Sequence, residues 1–418
     1  MKDYANWLAR PFVDAMVDRF LRYVRFDTQS DRHIEDIPST ATQWNLARVL
    51  LDELKSLGVE DVTLDEHCYL IARIPASRGL ESKPCIGLMA HIDTASDVTG
   101  AGVKPRIVRG YDGSLLELSA GWKLDPAEFP DLSEHCGDDI IVTDGTTLLG
   151  ADDKAGVAEI MTTLSLLFAH PEIKHGPLEI FFTPDEETGK GMNLFPLSKT
   201  QSIACYTLDG GKSAEIEAEC FTAYSVKAEF TGKVIHIGAA RGKFANAVAM
   251  ASAFVSMLPR SESPEATDGW YGYYCPIEIS GSLEHAVVET YLRDFDEEGM
   301  QARIAAVEAF ASAVRAQFPL GSVKLTINKQ YLNMRAKLNQ RPEVLAKLDA
   351  AVRRAGAEPL MRPIRGGTDG SRLTEMGIPT PNVFTGGYNY HSRHEWASVA
   401  EMALAVDTAL QLVALWAE

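Results

Sequence analysis

The sequence predicts an α/β fold: a mostly parallel sheet with helices on both faces, interrupted by a smaller α+β domain. Three observations carry this prediction. Short apolar segments typical of buried strands alternate with amphipathic helical segments over the first half of the chain. That alternation stops after Gly210-Gly211 and resumes near Tyr331. At 418 residues the chain is also too long for one ordinary core, so two domains are expected.

The main domain is predicted at 1–214 and 331–418. Helical spacing predicts amphipathic helices over 12–24, 44–54, 157–168 and 399–416. Strands are predicted at 62–64, 70–74, 85–89, 140–142, 178–183 and 204–208. The spacing Thr40-x-x-Gln43 is typical of a capping box at the start of the second helix.

The inserted domain is predicted at 215–330. Its strands are expected at Thr222–Phe230, Cys275–Ser280, Ala286–Arg293 and Val323–Lys329, and its helices at Asn246–Met257 and Glu298–Gln317. The resulting order, βαββαβ, is that of a complete ferredoxin-like unit.

Composition narrows the class of protein. The net charge of −18 argues against a protein that binds nucleic acid and against one drawn to anionic lipid. No segment has the pattern of a signal peptide or a membrane span. The six cysteines form no CxxC pair, which favours a reduced, cytoplasmic setting.

The segment Gly150–Gly156, GADDKAG, places two carboxylates where a strand passes into a helix. In open α/β sheets, ligands bind beyond the carboxyl ends of the strands. Asp152 and Asp153 are therefore candidates for ligand binding. An ordinary helix N-cap with an acid in the first turn explains the same two residues.

Acidic residues or histidines also follow other predicted strands. His91 and Asp93 are two apart in extended chain and so point the same way. Glu186 and Glu187 follow the strand LEIFFT, and Asp209 closes the strand before Gly210-Gly211. Turns and solvated loops explain each of these singly.

A two-metal site explains all of these positions together, with His391 added from a loop rich in glycine and tyrosine. Imidazole and carboxylate ligands without thiolate indicate zinc, with cobalt or manganese as substitutes. Other motifs are excluded: Ala151 stands where a P-loop needs lysine, and His394-Glu395 lacks the second histidine of HExxH. No GxSxG or GxGxxG sequence is present.

Eight segments make the chain similar to the zinc-dependent aminopeptidase/aminoacylase superfamily. They are HIDT, GTTLLGADDKAG, FTPDEETGKG, TLDGG, RDFD, YLNMR, RGGTDGSRL and GGYNYHSRHEW, and the similarity runs over essentially the whole chain. The resemblance implies that His91 and Asp209 bind one zinc ion. It implies that Glu187 and His391 bind the other, and that Asp152 bridges the two.

The resemblance also implies roles around the metals. Asp93 would orient His91, and Glu186 would be the general base for a water shared by the two ions. His236 and Asn246 resemble residues of a lid and dimerisation domain that reach the partner subunit's active site, where the histidine stabilises the oxyanion. Ile237 departs from the proline that commonly follows this histidine.

Two arginines, Arg293 and Arg365, resemble positions that contact the substrate's carboxylate or backbone. The implied protein is a homodimeric, cytoplasmic aminopeptidase that removes the first residue of tripeptides by a metal-bridged hydroxide. Two alternatives use the same metal core: a dipeptidase and an N-acyl amino acid deacylase. A non-catalytic binding protein on this fold is a third, disfavoured because every expected ligand position holds a competent residue.

Overall fold

The computed structural model describes residues 4–418 and divides into two compact units. Unit 1 runs to Ala218 and includes Lys337–Arg362 and Thr368–Glu418. Unit 2 consists of Glu219–Ala336 and Pro363–Gly367. The boundaries predicted from the sequence fall a few residues before these. The short excursion at 363–367 was not predicted, and residues 1–3 of the predicted main domain lie outside the described part.

The helices are α1 (Tyr4–Leu8), α2 (Val13–Tyr23), α3 (Gln43–Ser56), α4 (Ala151–Ala169), α5 (Ala247–Met257), α6 (Glu297–Gln317), α7 (Arg335–Leu338), α8 (Pro342–Arg354), α9 (Asp369–Met376) and α10 (Val399–Ala417). The strands are β1 (Asp61–Leu64), β2 (Leu70–Ile74), β3 (Ile86–His91), β4 (Arg106–Val108), β5 (Leu116–Glu117), β6 (Lys123–Leu124), β7 (Ile140–Val142), β8 (Leu178–Thr183), β9 (Ala204–Gly210), β10 (Glu215–Cys220), β11 (Thr222–Thr231), β12 (Tyr273–Gly281), β13 (His285–Asp294), β14 (Ser322–Tyr331), β15 (Leu360–Ile364), β16 (Asn382–Phe384), β17 (Gly387–Tyr388) and β18 (Trp396–Ser398).

The largest sheet has the strand order β1-β2-β8-β3-β9-β16-β10-β15. Its central strands β8, β3, β9 and β16 are parallel to one another. Antiparallel pairs flank them, β1 with β2, β2 with β8, and β10 with β16. The sheet is therefore parallel at its centre, as the apolar runs predicted, and mixed at its edges.

Side chains of the central strands alternate between two apolar clusters. On β3, Leu88 and Ala90 belong to a large cluster that includes α4, α8 and α10, whereas Met89 belongs to a smaller one with Leu373 of α9. This alternation is the period-two pattern of a strand buried on both faces. Helices thus cover both faces of the sheet, and the larger apolar cluster lies on one of them.

The predicted capping box at the start of α3 does not form. Thr42 occupies the N-cap position and its side chain makes no capping hydrogen bond. The amide of Gln43 instead donates to Thr40 Oγ1 at 3.2 Å and to the buried carboxylate of Asp185 at 2.8 Å. A distant carboxylate thus binds the Gln43 side chain that the capping box would have used, since hydrogen bonds to charged groups are the stronger ones.

Unit 2 contains a four-stranded antiparallel sheet with the order β12-β13-β11-β14. Alternate residues of β11, Val226, Ala228 and Phe230, are buried in one cluster with α5 and α6. With the chain order βαββαβ, this is the ferredoxin-like arrangement that the sequence predicts.

Among the described residues, α10 is the one helix long and apolar enough to cross a membrane. Of its most apolar stretch, 78% is buried inside the fold. A helix that is apolar on all sides is also what the core of a large domain requires. The apolarity of α10 is therefore used in the core of unit 1.

Candidate metal centre

The candidate ligands lie at one edge of the central sheet of unit 1. β3 ends at His91, β9 carries Asp209 near its end, and the turn after β8 carries Glu187. Because these strands are parallel neighbours, their carboxyl ends meet at this edge. Asp152 enters from the start of α4, and His391 from the loop between β17 and β18.

Each oxygen of the Asp152 carboxylate faces a different imidazole. Oδ1 lies 2.9 Å from His91 Nε2, which is also 3.5 Å from Asp209 Oδ1. Oδ2 lies 3.1 Å from His391 Nε2, which is also 3.0 Å from Glu187 Oε2. The five residues therefore form two groups of three that share Asp152.

The size and chemistry of the two groups fit metal ions. In each group the three ligand atoms lie within 4.8 Å of one another, so a common point exists within about 2.8 Å of all three (4.8 Å divided by √3). Small inward movements would bring the atoms to the roughly 2.0–2.2 Å at which zinc binds imidazole and carboxylate. The second oxygen of Glu187, Oε1, is buried with no hydrogen-bond partner among the described residues, as expected for a ligand atom.

The pKa values of the candidate ligands are shifted because several carboxylates are buried close together. Burial and the charge of Asp152 raise the pKa of Glu187 to about 7, and burial raises the pKa of Asp209 to about 6. Burial alone would lower the pKa of His91, but the carboxylates of Asp209 and Asp152 outweigh it and raise that pKa well above its usual value. Protons bound to the imidazoles thus balance the carboxylates, and divalent cations would balance them equally well.

Asp93 connects the end of β3, which carries His91, to the turn that carries Glu186 and Glu187. Its Oδ1 lies 3.3 Å from His91 Nδ1, and its backbone carbonyl lies 3.1 Å from the same nitrogen. Its carboxylate also accepts the backbone N–H groups of Glu186 at 3.0 Å and Glu187 at 3.2 Å. One side chain therefore orients a ligand imidazole and fixes the turn that carries a second ligand.

The Glu186 carboxylate makes no hydrogen bond or ion pair with the described residues and belongs to neither ligand group. Burial raises its pKa well above the usual value, and the nearby charges of Asp209, Asp369 and Glu187 raise it further. A free carboxyl group with a raised pKa beside the ligands has the properties of a general base.

Three acids near the centre were not identified as site residues from the sequence. Asp97 Oδ2 lies 3.5 Å from His391 Nδ1. Asp369 is buried, with Oδ2 unpartnered among the described residues, and burial raises its pKa to about 7. Glu395 is buried against the start of α4. The available signals were their positions inside HIDTASD, RGGTDGSRL and GGYNYHSRHEW.

Two residues of unit 2 were predicted to reach a partner's active site. His236 is exposed and precedes the short turn Ile237–Ala239, in which Ile237 is 70% exposed. Asn246 caps α5, because its side chain accepts the N–H groups of Val248 and Ala249. Nothing in the cap itself requires a substrate role for Asn246.

The two arginines predicted to contact substrate are engaged within unit 2. Arg293 is buried, donates to the carbonyls of Tyr224 and Leu292, and stacks 4.6 Å from the ring centroid of Tyr291. Arg365 belongs to the excursion at 363–367 and donates to backbone carbonyls of the segment 267–271. Their roles toward a substrate remain predictions.

Comparison with known proteins identifies the family of this chain. A family model described as peptidase family M20/M25/M40 matches residues 147–415. A curated protein named Peptidase T, from Geobacillus sp. (strain WCH70), is 44% identical over 403 residues, which are 96% of this chain and 98% of that protein. The chain belongs to peptidase family M20/M25/M40.

Two solved structures share the fold of this chain. A tripeptidase from Staphylococcus aureus subsp. aureus Mu50 matches with a TM-score of 0.76 at 20% identity, covering 97% of this chain and 98% of that one. A Bacillus subtilis protein described as a dinuclear metal binding peptidase from the M20 family matches with a TM-score of 0.64 at 15% identity, covering 96% and 98%. At these identities the likeness concerns the fold alone.

Proposed function

We propose that the chain is a metal-dependent tripeptide aminopeptidase, which removes the N-terminal residue of free tripeptides. The observation that carries the proposal is the pair of three-residue ligand groups sharing Asp152, with the free carboxyl group of Glu186 beside them. The choice of substrate rests on near-full-length similarity to proteins named Peptidase T.

Three residues would hold each of two divalent cations. His91, Asp152 and Asp209 would hold one, and Asp152, Glu187 and His391 would hold the other. Zinc is the expected metal, with cobalt or manganese as substitutes, because the ligands are imidazole and carboxylate without thiolate. When bound, such a pair of cations polarises a carbonyl oxygen and lowers the pKa of a water to roughly 7.

The chain's own residues move the proton. Glu186 accepts a proton from the attacking water and delivers it to the leaving amine, because its carboxyl group has a raised pKa and no competing partner among the described residues. Asp93 keeps Glu186 in place through its hydrogen bond to the Glu186 backbone N–H. General acid–base catalysis of this kind contributes roughly 10²- to 10⁴-fold.

Unit 2 supplies the remaining groups in this proposal. His236 stabilises the negative charge that develops on the carbonyl oxygen, and Asn246, Arg293 and Arg365 contact substrate. His236 acts in the active site of the partner subunit, so the enzyme is a homodimer. Its proposed location is the cytoplasm, as the absence of a CxxC pair among its six cysteines favours. The exposure of His236 leaves its imidazole available for such a role.

A panel of four substrates tests the reaction: a free tripeptide, the same tripeptide with an acetylated N-terminus, the matching free dipeptide, and an N-acyl amino acid. Hydrolysis of the free tripeptide alone, with release of its first residue, supports the proposal. A dipeptidase would instead prefer the matching dipeptide, and a deacylase would cleave only the blocked substrates. Either result would replace the proposed activity while keeping the metal centre.

Mixing two inactive variants tests the partner-subunit role. In a heterodimer of His236→Ala and Glu186→Ala subunits, one active site has both its own Glu186 and the partner's His236. Random exchange therefore restores up to about a quarter of wild-type activity if His236 acts across subunits. No recovery, although the subunits are shown to exchange, would place His236 in its own subunit's site or outside the mechanism.

A further inference from the structure

Glu395 accepts hydrogen bonds from the backbone at the start of α4, which lies more than 240 residues earlier in the sequence. Its Oε2 accepts the backbone N–H groups of Leu149 at 2.7 Å and Gly150 at 2.8 Å. Its Oε1 accepts those of Ala151 at 2.7 Å and Asp152 at 3.2 Å. The side chain is only 2% exposed, so these four N–H groups have little access to water as an alternative acceptor.

This arrangement releases Asp152 from capping its own helix. An aspartate at the start of a helix ordinarily satisfies the first free N–H groups with its own carboxylate. Here Glu395 accepts the N–H groups of Ala151 and Asp152, and Asp153 Oδ1 accepts the Gly156 N–H at 3.2 Å. Asp152 itself keeps non-helical backbone angles (φ −85°, ψ 102°). Both oxygens of Asp152 therefore remain available to face the two histidines.

The same loop carries His391, four residues before Glu395. Hydrogen bonds within the loop make a compact turn: Ser392 Oγ donates to the Asn389 carbonyl at 2.6 Å, and Asn389 Nδ2 donates to the His394 carbonyl at 3.1 Å. The Glu395 N–H donates to the Ser392 carbonyl at 3.3 Å. Movement of Glu395 is therefore transmitted to the backbone next to His391.

We propose that Glu395 is a positioning residue: it locks the turn that bears Asp152 to the loop that bears His391. It thereby sets the geometry of the cation site formed by Asp152, Glu187 and His391, without itself binding a cation. The inference rests on the proposed metal centre but not on the choice of substrate. Residues that hold metal ligands in place typically change metal affinity by about 10- to 100-fold when replaced.

The competing explanation is that Glu395 merely stabilises the fold, as another buried glutamate does. Glu179, 1% exposed at the start of β8, accepts the N–H groups of Gln201 at 2.9 Å and Ser202 at 2.8 Å and pairs with Arg73 at 3.0 Å. It lies at the opposite end of its strand from the metal centre. Glu179→Gln is therefore a matched control for the loss of a buried, N–H-binding carboxylate.

The test compares Glu395→Gln, Glu395→Asp and Glu179→Gln in the full chain, stripped of metal by chelation and titrated with Zn²⁺ alone. Glutamine has the size of glutamate, but its amide presents N–H groups to two of the four backbone donors. We expect Glu395→Gln to weaken the ion held by Asp152, Glu187 and His391 most, by about 10- to 100-fold, because two of its ligands lie on the locked segments. The other ion should be weakened less, since it shares only Asp152. Glu395→Asp should show a smaller loss, and Glu179→Gln wild-type affinity for both ions.

Hydrogen exchange provides a second readout, independent of activity. The backbone amides of 149–152 should exchange slowly in the metal-free wild type and quickly in Glu395→Gln, while Glu179→Gln leaves them unchanged. Two zinc ions bound with wild-type affinity by Glu395→Gln would overturn the proposal. If that variant fails to fold, fast exchange of the same amides in the wild type would overturn it instead. If the wild-type chain binds zinc but does not hydrolyse tripeptides, the proposed choice of substrate is refuted, whereas the role of Glu395 is not.

Discussion

Replacing Asp152 with asparagine should weaken both cation sites, whereas replacing Asp209 or Glu187 should weaken one. The reason is that Asp152 offers one oxygen to each ligand group, and the other two acids belong to a single group each. We therefore expect Asp152→Asn to lose affinity for two ions. Asp209→Asn and Glu187→Gln should each retain one ion with nearly wild-type affinity.

The size of the effect follows from charge. A carboxylate and a divalent cation about 4 Å apart attract each other by roughly 8 kcal/mol at an effective dielectric constant of about 20. Desolvation of the buried carboxylate offsets several kcal/mol of this attraction. A net loss of about 3–5 kcal/mol corresponds to an affinity roughly 10²- to 10³·⁵-fold lower for each ion.

Calorimetric titration of the chelator-stripped chain with Zn²⁺ measures the stoichiometry and both affinities, and circular dichroism verifies that each variant folds. The matched variants Asp209→Asn and Glu187→Gln serve as controls, since each also removes one negative charge from the same centre. If Asp152→Asn lost only one ion, or if Asp209→Asn lost both, the shared role of Asp152 would be refuted.

Three further predictions concern catalysis and stability. Glu186→Gln should lower kcat by roughly 10²- to 10⁴-fold while Zn²⁺ titration still finds two ions; unchanged turnover would rule out Glu186 as the base. Chelation should lower the Tm measured by scanning fluorimetry, and zinc should restore it, since ligand at about 100 times its Kd stabilises the fold by about 2.7 kcal/mol; an unaltered Tm would contradict the metal centre. Glu159, buried in α4 with both carboxyl oxygens unpartnered among the described residues, has a pKa raised well above 4.5 by burial. As pH rises above about 4.5, the unfolded chain releases the Glu159 proton while the folded chain keeps it. Every tenfold difference in proton affinity between the two states therefore lowers the stability at high pH by about 1.4 kcal/mol. Glu159→Gln should therefore raise the Tm at about pH 8 and change it little at about pH 4; an equal effect at both values would show that Glu159 is ionised in the fold.

Strand ends were the part of the site that the sequence could predict. His91, Asp209 and Glu187 each follow an apolar run, and parallel strands bring such positions to one edge by geometry alone. The period-two spacing of His91 and Asp93 likewise matches their observed contact of 3.3 Å.

Long-range hydrogen bonds were the part that could not be predicted. The partners of Glu395 lie 243 to 246 residues away, and the amide of Gln43 reaches Asp185 across 142 residues. Local patterns suggested an aspartate cap at α4 and a Thr40–Gln43 capping box at α3. Asp153 Oδ1 does accept the Gly156 N–H at 3.2 Å, but Glu395 accepts the N–H groups of Ala151 and Asp152, and Asp185 binds the Gln43 side chain. No periodicity in the sequence reports such long-range partners.

The order of the ligands along the chain has a consequence for biosynthesis. A ribosome completes His91, Asp152 and Asp209, all members of one cation site, long before it reaches His391, which lies 182 residues beyond Asp209 (391 − 209). At roughly 5–20 residues per second, that interval lasts on the order of 10–35 s. The ligands of the first site thus exist in the nascent polypeptide well before the second site gains its histidine.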